Sequence, residues 1–179
     1  MLTIQPVALT VDAVDAAKTY LRLESDDEDT SIAALVAAAV VHAEGYLGQL
    51  LIERDVIERL PVSSAWQRLG ATPVRSVTNV TGIPAEGASF ALAADSYKLD
   101  INRHHDGWVR FTSPGSAGRA DVRYRAGLVP GWPDLPEAIS ISVLRIGAHL
   151  HAHRDSADDA GPPAAVASLL RPWRRMRLT

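Results

Sequence analysis

Six histidines are the residues of this 179-residue chain best suited to metal binding or proton transfer. His149 and His153 stand four residues apart on a predicted helix and could share a metal ion, with His151 on another face. The zincin pattern requires a glutamate directly after the first histidine, and Leu150 stands there instead. Histidines near a helix end more often interact with the exposed carbonyls or face solvent. A metal site therefore stays an alternative, and His104–Gly107 is most simply a hairpin turn.

Two further motifs resemble ligand-binding loops in composition only. The glycine-rich stretch Ser113–Gly118 lacks the Gly-Lys-Ser/Thr end and the strand-then-helix context of a phosphate loop, so it predicts a turn. The acidic run Asp26–Asp29 lacks the alternating ligands and central glycine of an EF-hand, and helix capping explains it better. A Ser-His-Asp triad cannot be inferred from spacing alone. The sequence therefore predicts no catalytic residue, no metal and no cofactor.

The C-terminal segment combines arginines with large apolar residues, and it follows Asp155–Pro163, whose composition predicts a linker. Three interpretations are open: solvated charge, a peptide that docks on another protein, or contact with nucleic-acid phosphates. The apolar residues among the arginines favour a protein groove over a phosphate backbone. The predicted docking residues are Leu169, Leu170, Arg171, Trp173, Arg174 and Arg175.

Two helices joined by an acidic turn are predicted over residues 11–22 and 26–48. Ser25 with Glu28 three residues later has the pattern of a capping box, so the second helix is expected to begin near Asp26. Gly48 is suited to the left-handed stop of that helix. The second helix is apolar nearly all round, which predicts that more than one side is covered, either by its own domain or by a neighbouring copy.

A third helix is predicted over residues 135–153, with Asp134 and Glu137 as its cap and Pro136 in its first turn. Its apolar residues form two faces, so this helix too is expected to be covered on two sides. The residues predicted to form a subunit interface on the second and third helices are Ile32, Leu35, Val36, Ala39, Ile139, Val143 and Ile146.

Between the helical regions, residues 55–125 alternate short apolar and polar segments with prolines and glycines, which predicts an antiparallel β meander. Residues 83–94 are expected to form a loop. The predicted fold class is α+β: a helical hairpin and a long C-terminal helix packed together, an inserted small β meander, and an extended C-terminal tail. The predicted domains are residues 1–154 and a linker with docking tail, 155–179.

Composition excludes several classes of protein. The formal charge of −3 gives no general attraction to nucleic acid or to an anionic membrane. The apolar run Ile32–Val41 is short of the roughly 20 residues of a membrane span, and the N-terminus lacks the pattern of a signal peptide. The chain contains no cysteine, which fits a cytoplasmic protein and excludes disulfides and thiolate chemistry.

The N-terminal half resembles the signature of the head-to-tail connector (adaptor) proteins of long-tailed bacteriophages and phage-like gene transfer agents. That signature has a lysine and Leu-Arg on the first helix, an acidic turn, and a small-residue helix that ends in Glu-x-Tyr-Leu-Gly. The residues that match it are Lys18, Leu21, Arg22, Asp29, Leu35, Ala39, Glu44, Tyr46, Leu47 and Gly48.

The C-terminal half is similar to the same family in the order of its motifs. An aromatic strand is followed by Ala-Gly, by proline, by Pro-x-x-Ile and by an apolar helix that ends in His and Arg-Asp. A terminal element of leucine, proline, aromatic residue and arginine closes the chain. The matching positions are Tyr124, Ala126, Gly127, Pro130, Pro136, Ile139, His149–Asp155 and Leu169–Arg174.

The resemblance implies a structural protein of the particle neck, assembled in the bacterial cytoplasm. Its subunits would form a ring of about twelve copies with closed cyclic symmetry, between the portal protein and the next neck or tail-completion protein. The ring would extend the channel through which DNA passes, without sequence-specific contact, and present the tail-attachment surface. The C-terminal segment would dock on the portal. Two alternatives are a metal-dependent hydrolase using His149 and His153, and a DNA-binding module using the arginine-rich tail.

Overall fold

The computed structural model describes residues 1–152 and 164–175. The chain divides into two compact units. The sheet unit comprises Met1–Pro6 and Glu53–Leu128, and the helical unit comprises Val7–Ile52 and Val129–Thr179. This differs from the predicted division into residues 1–154 and a tail, because residues 164–175 belong to the helical unit.

In its described residues the helical unit contains four α-helices: α1 (Val11–Leu21), α2 (Asp29–Leu47), α3 (Glu137–Ala152) and α4 (Ala164–Leu170). Short 3-10 turns at Trp132–Asp134 and Arg171–Trp173 precede α3 and follow α4. Both α1 and α4 contact α3, and α2 packs against α1 and α3. Together with the sheets described below, these helices confirm the predicted α+β class.

A buried lysine organises the turn between α1 and α2. Lys18 is only 9% exposed, and its ammonium group pairs with Asp26 and, at 2.8 Å, with Asp29. The two carboxylates raise the pKa of Lys18, and the Lys18 ammonium lowers the pKa of Asp26. The turn is therefore held by one cation between two anions.

The predicted capping box does not form. The helix α2 begins at Asp29, and Glu28 at its N-cap makes no side-chain cap hydrogen bond. The Ser25 hydroxyl instead donates to an Asp27 carboxylate oxygen at 2.8 Å and accepts from the Asp27 amide at 3.2 Å. Because Lys18 draws Asp26 and Asp29 toward α1, the acidic residues close the turn rather than cap a helix at Asp26.

The end of α2 is as predicted. Gly48 adopts a left-handed conformation with φ of 68° and donates to the Glu44 carbonyl at 2.8 Å. The buried Glu44 carboxylate also accepts the Leu51 amide at 2.8 Å, so one residue satisfies two donors after the helix.

Helix α2 is long and apolar enough to cross a membrane by length and composition alone, contrary to the expectation from the shorter run Ile32–Val41. Packing accounts for this composition. Ile32, Val36 and Leu47 are among the α2 residues that are buried, and the helix contacts α1 and α3.

Helix α3 also begins differently from the prediction. Asp134 lies in the preceding 3-10 turn, and Leu135 and Pro136 separate it from Glu137, the first helical residue. The Pro136 carbonyl accepts the amides of Ile139 and Ser140 at 2.8 and 3.1 Å. Pro136 therefore stands just before the first turn, where its missing N–H costs nothing.

The sheet unit contains two antiparallel sheets. Its strands are β1 (Leu2–Ile4), β2 (Arg54–Pro61), β3 (Gln67–Arg68), β4 (Val74–Pro84), β5 (Phe90–Ala91), β6 (Tyr97–Ile101), β7 (Gly107–Phe111) and β8 (Ala117–Ala126). The five-stranded sheet has the order β1-β2-β8-β4-β5, and the three-stranded sheet has the order β3-β7-β6.

This topology is not the predicted meander, because β8 lies between β2 and β4. Two strands were also missed by the sequence prediction. Strand β1 pairs with β2, and β5 pairs with β4 within the predicted loop of residues 83–94. Both are short edge strands, and their pairing partners are either distant in sequence or show little alternation of apolar and polar residues. The local sequence pattern therefore does not reveal them.

A buried hydrogen-bond network fixes the chain before β4 against the five-stranded sheet. Tyr124, 1% exposed, donates its hydroxyl to Glu58 at 2.8 Å and accepts the Ala71 amide at 3.0 Å. The same Glu58 oxygen accepts the Gly70 amide at 2.8 Å. Burial raises the pKa of the Tyr124 hydroxyl. One oxygen of the Glu58 carboxylate thus holds β8 and the loop before β4 together.

The predicted hairpin turn lies between β6 and β7. The Asn102 side-chain oxygen accepts the amides of His104 and Asp106 at 2.9 and 3.0 Å, and His105 adopts a left-handed φ of 58°. Arg68 donates to Asp106 at 2.6 Å. These contacts give His104–Gly107 a structural role as a turn.

Gly107 is required by close packing, and we expect Gly107→Ala to destabilise the protein by about 1–3 kcal/mol. An added Cβ would lie 2.8 Å from Leu69 Cδ1 and 2.9 Å from Val74 Cγ2. Gly118→Ala is the matched control, since no atom lies within 4 Å of its added Cβ, and we expect a change within about 0.5 kcal/mol. Urea unfolding of both variants measures the difference; equal losses would contradict it.

Lys18→Met is expected to lower the unfolding free energy near neutral pH, because Asp26 and Asp29 lose their shared cation. Lys18 lowers the pKa of Asp26 in the folded protein. The ion pair therefore stabilises the folded state above the ordinary Asp26 pKa of 3.8, and this stabilisation is lost as the pH falls through the lowered pKa. The difference in unfolding free energy between wild type and Lys18→Met should therefore become smaller as the pH falls from about 7 to about 3. Lys98→Met, at an exposed position of β6, is the control; a gap independent of pH would contradict the prediction.

Candidate assembly site

The C-terminal segment, residues 164–175, is folded onto the helical unit. Val166 is 1% exposed and Leu170 is 0% exposed, and α4 packs against α3. A helix of this length is not stable alone in water, so tertiary packing stabilises it. This is a difference from the predicted extended tail, since the apolar residues of the segment find a surface within their own chain.

The C-terminal end of α2 provides the polar contacts that hold this segment. The Tyr46 hydroxyl donates to the Ala167 carbonyl at 3.3 Å. The buried Gln49 side chain donates to the Trp173 carbonyl at 2.7 Å. Both acceptors are backbone carbonyls, so these bonds fix the path of the segment without depending on its side chains.

Two arginines of the segment also contact the end of α2. The Arg175 amide donates to the Leu47 carbonyl at 2.9 Å. The Arg174 guanidinium lies over the Tyr46 ring, 5.2 Å from its centroid, in a cation–π arrangement. Tyr46 therefore contacts the segment through both its hydroxyl and its ring. The sequence marks Tyr46 only as part of the Glu-x-Tyr-Leu-Gly motif and gives Gln49 no role.

The structure divides the six predicted docking residues by exposure. Leu170 is in the core, and Leu169, Trp173 and Arg175 are half-buried. Arg171 and Arg174 are exposed. Of the six predicted docking residues, Arg171 and Arg174 are therefore the most accessible to another protein.

The residues predicted to form a subunit interface lie instead in the core of the helical unit, with one exception. Leu35 is half-buried. The buried residues, all between 0% and 3% exposed, are Ile32, Val36, Ala39, Ile139, Val143 and Ile146. The helical periodicity identified the apolar faces correctly, but these faces meet one another within one chain.

The histidines of α3 do not form a metal centre with other side chains among residues 1–152 and 164–175: no group of three or more His, Cys, Asp or Glu side chains lies close enough together to hold an ion there. His149 and His151 are half-buried near the end of α3. His153, the other member of the predicted pair, lies outside the described residues, as does the predicted linker Asp155–Pro163.

Leu170→Ala is expected to destabilise the helical unit by about 2–5 kcal/mol, because a fully buried leucine leaves a cavity. Leu169→Ala, at the half-buried neighbouring position, should cost less than about 1 kcal/mol. Urea unfolding followed by circular dichroism distinguishes the two. Similar effects at both positions would show that α4 is not packed as the structure shows.

Comparison with known proteins identifies solved structures of the same fold. No protein-family model matches the chain, and no curated protein matches it. A chain from the neck of an empty gene transfer agent particle, determined with C6 symmetry, aligns with a TM-score of 0.79 and 24% identity. The alignment covers 100% of this chain and 97% of that chain.

Two further structures align over nearly the whole length. A chain in the virion of a native gene transfer agent particle has a TM-score of 0.73 and 25% identity, covering 100% of this chain and 97% of that one. A chain in the neck of a native particle, determined with C12 symmetry, has a TM-score of 0.69 and 24% identity, covering 99% and 97%. The chain therefore has the fold of a gene transfer agent neck component, across both of its units.

Proposed function

We propose that this chain is a structural head–tail connector subunit of a phage-like particle neck. The observation that carries the proposal is the full-length similarity to neck chains of gene transfer agent particles, with a TM-score of 0.79 over 100% of the chain. Structural similarity confined to one unit would indicate only that the two proteins share that unit. Here the similarity extends over both units, in the same order along the chain.

The chemistry of the ionisable side chains supports a structural role. The buried Glu58 carboxylate binds Tyr124 and a loop amide, and the buried Lys18 holds the α1–α2 turn. Arg59 and Asp121 form a two-bond pair across β2 and β8, at 2.7 and 2.9 Å. Each of these groups is engaged in maintaining the fold rather than directed together at a cleft.

The subunits are proposed to form a ring of about twelve copies with closed cyclic symmetry. The C6 and C12 symmetries of the neck structures that share this fold support that arrangement. In the ring, the chain would extend the DNA channel below the portal protein and present the surface to which the next neck or tail-completion protein attaches. Its DNA contacts would be independent of sequence.

The C-terminal segment is proposed to bind the portal through its exposed side chains. Arg171 and Arg174 are exposed at the end of α4, and Trp173 between them is half-buried. Arginine and tryptophan are enriched among the residues that dominate binding energy. Because Leu170 is buried in its own unit, it supports this surface from beneath rather than inserting into the partner.

The proposal is tested by mixing the purified chain with the portal protein of the same particle and imaging the product by electron microscopy. We expect a ring of this chain on one face of the portal, coaxial with its channel. A chain that stays unbound at micromolar portal, or one that binds as a single copy off the axis, would contradict the proposal.

Arg171→Glu is expected to weaken portal attachment about tenfold, since reversing an exposed interface charge introduces repulsion, while the unfolding free energy stays within about 0.5 kcal/mol of wild type. Arg103→Glu, at an exposed position of the β6–β7 hairpin, is the matched control. Co-sedimentation with the portal measures both. Equal binding by the two variants would place the portal contact elsewhere on the chain.

A further inference from the structure

Charge is distributed unevenly between the two units of the chain. The sheet unit holds ten Lys or Arg residues against eight Asp or Glu residues, whereas the helical unit holds eight against thirteen. The formal charge of −3 for the whole chain therefore conceals a sheet unit with a small positive charge. A surface that attracts a polyanion is expected in that unit.

The outward face of the five-stranded sheet carries four exposed arginines. Alternate residues of the central strand β8 point to this face, because Val122 and Tyr124 point the other way and are buried. We call it the arginine face; it consists of Arg59 on β2, Arg119, Arg123 and Arg125 on β8, and Ser76 and Asn79 on β4. All six residues are exposed.

Two of these arginines have no carboxylate opposite them. The residues that face Arg119 and Arg123 from the neighbouring strands are uncharged: Pro61 and Ile57 on β2, and Ile83 and Asn79 on β4. Among the residues that the structure describes, neither arginine forms an ion pair. Both guanidinium groups are therefore available to a ligand with negative charge.

The carboxylates near the arginine face already have cationic neighbours. Asp121 accepts two hydrogen bonds from Arg59, and Glu53 pairs with Arg125 at 3.3 Å. The exposed Asp55 lies directly opposite Arg125, at the end of β8 remote from Arg119. The stretch of β8 between Arg119 and Arg123 therefore keeps a positive charge.

We propose that the arginine face binds the phosphate backbone of duplex DNA, and that it is turned toward the channel of the ring. The inference rests on the proposed function, because DNA in the channel is the polyanion that complements this charge. Side chains of Arg, Ser and Asn are typical donors to phosphate oxygens, and Ser76 and Asn79 flank β8 directly. Arg119 and Arg123 lie about 14 Å apart at roughly 3.4 Å per residue, so they contact different phosphates.

The shape of the face favours duplex DNA and excludes reading of its bases. Five strands span about 19 Å, which exceeds the roughly 12 Å width of the major groove, so the sheet lies across the grooves. Single strands are bound by stacking on aromatic side chains. The arginine face has none, since Tyr124 is buried and the exposed Trp66 lies under Arg110 of the other sheet.

The number of contacts indicates that each copy binds weakly. With two to four phosphates per copy, the logarithm of the affinity should fall with the logarithm of the salt concentration at a slope of about −2 to −4. About twelve copies in a ring would surround the DNA with such contacts. Weak contacts without base recognition allow the DNA to slide past.

The site is located by adding a short DNA duplex to the full chain and recording amide chemical shifts by nuclear magnetic resonance. At about 50 mM salt we expect shifts on β8 and the adjoining parts of β2 and β4, and we expect them to decrease toward about 200 mM. Two duplexes of unrelated sequence should give the same affinity, because only phosphates are contacted.

The double variant Arg119→Gln with Arg123→Gln should bind the duplex about tenfold more weakly, with a salt slope smaller by about 2. Lys98→Gln with Arg103→Gln is the matched control. It removes the same charge from exposed positions of the β6–β7 hairpin and should bind DNA more strongly than the arginine-face variant. Urea unfolding midpoints establish that both double variants are folded.

The outcomes separate this inference from the proposed function. Absence of shifts at about 50 mM salt, as expected if the face receives an acidic protein segment instead, overturns the inference. Equal losses of DNA affinity in the two double variants also overturn it. Either result leaves a ring on the portal as evidence for the proposed function. Failure of the wild-type chain to form that ring overturns the proposed function, and the channel-facing position of the arginine face with it.

Discussion

The packing of α2 against α3 is the interaction on which the helical unit depends. Small residues bring the two helices close together: an added Cβ at the buried Gly147 would lie 3.9 Å from Ala39 Cβ. Larger residues such as Ile32 and Ile139 fill the space around this contact and are at most 1% exposed. Helix α1 packs against both helices and α4 packs against α3, so further sides of the pair are covered within the same unit.

The five-stranded sheet of the sheet unit is organised around β8, its central strand. It pairs with β2 over Arg54–Pro61 without a register shift and with β4 through several irregularities. Charged side chains reinforce these pairings. The Glu53 carboxylate forms ion pairs with Arg75 and Arg125, at nitrogen–oxygen distances of 3.2 and 3.3 Å. These charged groups therefore serve the pairing of the chain's own strands.

The C-terminal segment contributes both to the core of the helical unit and to its charged surface. Its contacts to Tyr46 and Gln49 are made by backbone carbonyls, which leaves Arg171 and Arg174 exposed. One short segment therefore completes the core of the helical unit and presents charge at the surface. The buried Leu170 and the exposed Arg171 are neighbours in the chain, so the proposed portal contact lies directly beside a residue of the core.

Local sequence patterns determined α1, α2 and α3, the left-handed stop at Gly48 and the β6–β7 hairpin, because three-and-four spacing, glycine at a positive φ and turn residues act within a few residues of chain. They did not indicate α4, whose seven residues are stabilised by packing against α3. The tertiary structure alone decided which partner covers each apolar face, that β8 lies between β2 and β4, and that Lys18 takes the carboxylates expected to cap α2. Periodicity states that a face must be buried. It carries no information about what lies opposite, since that depends on contacts between residues far apart in the chain.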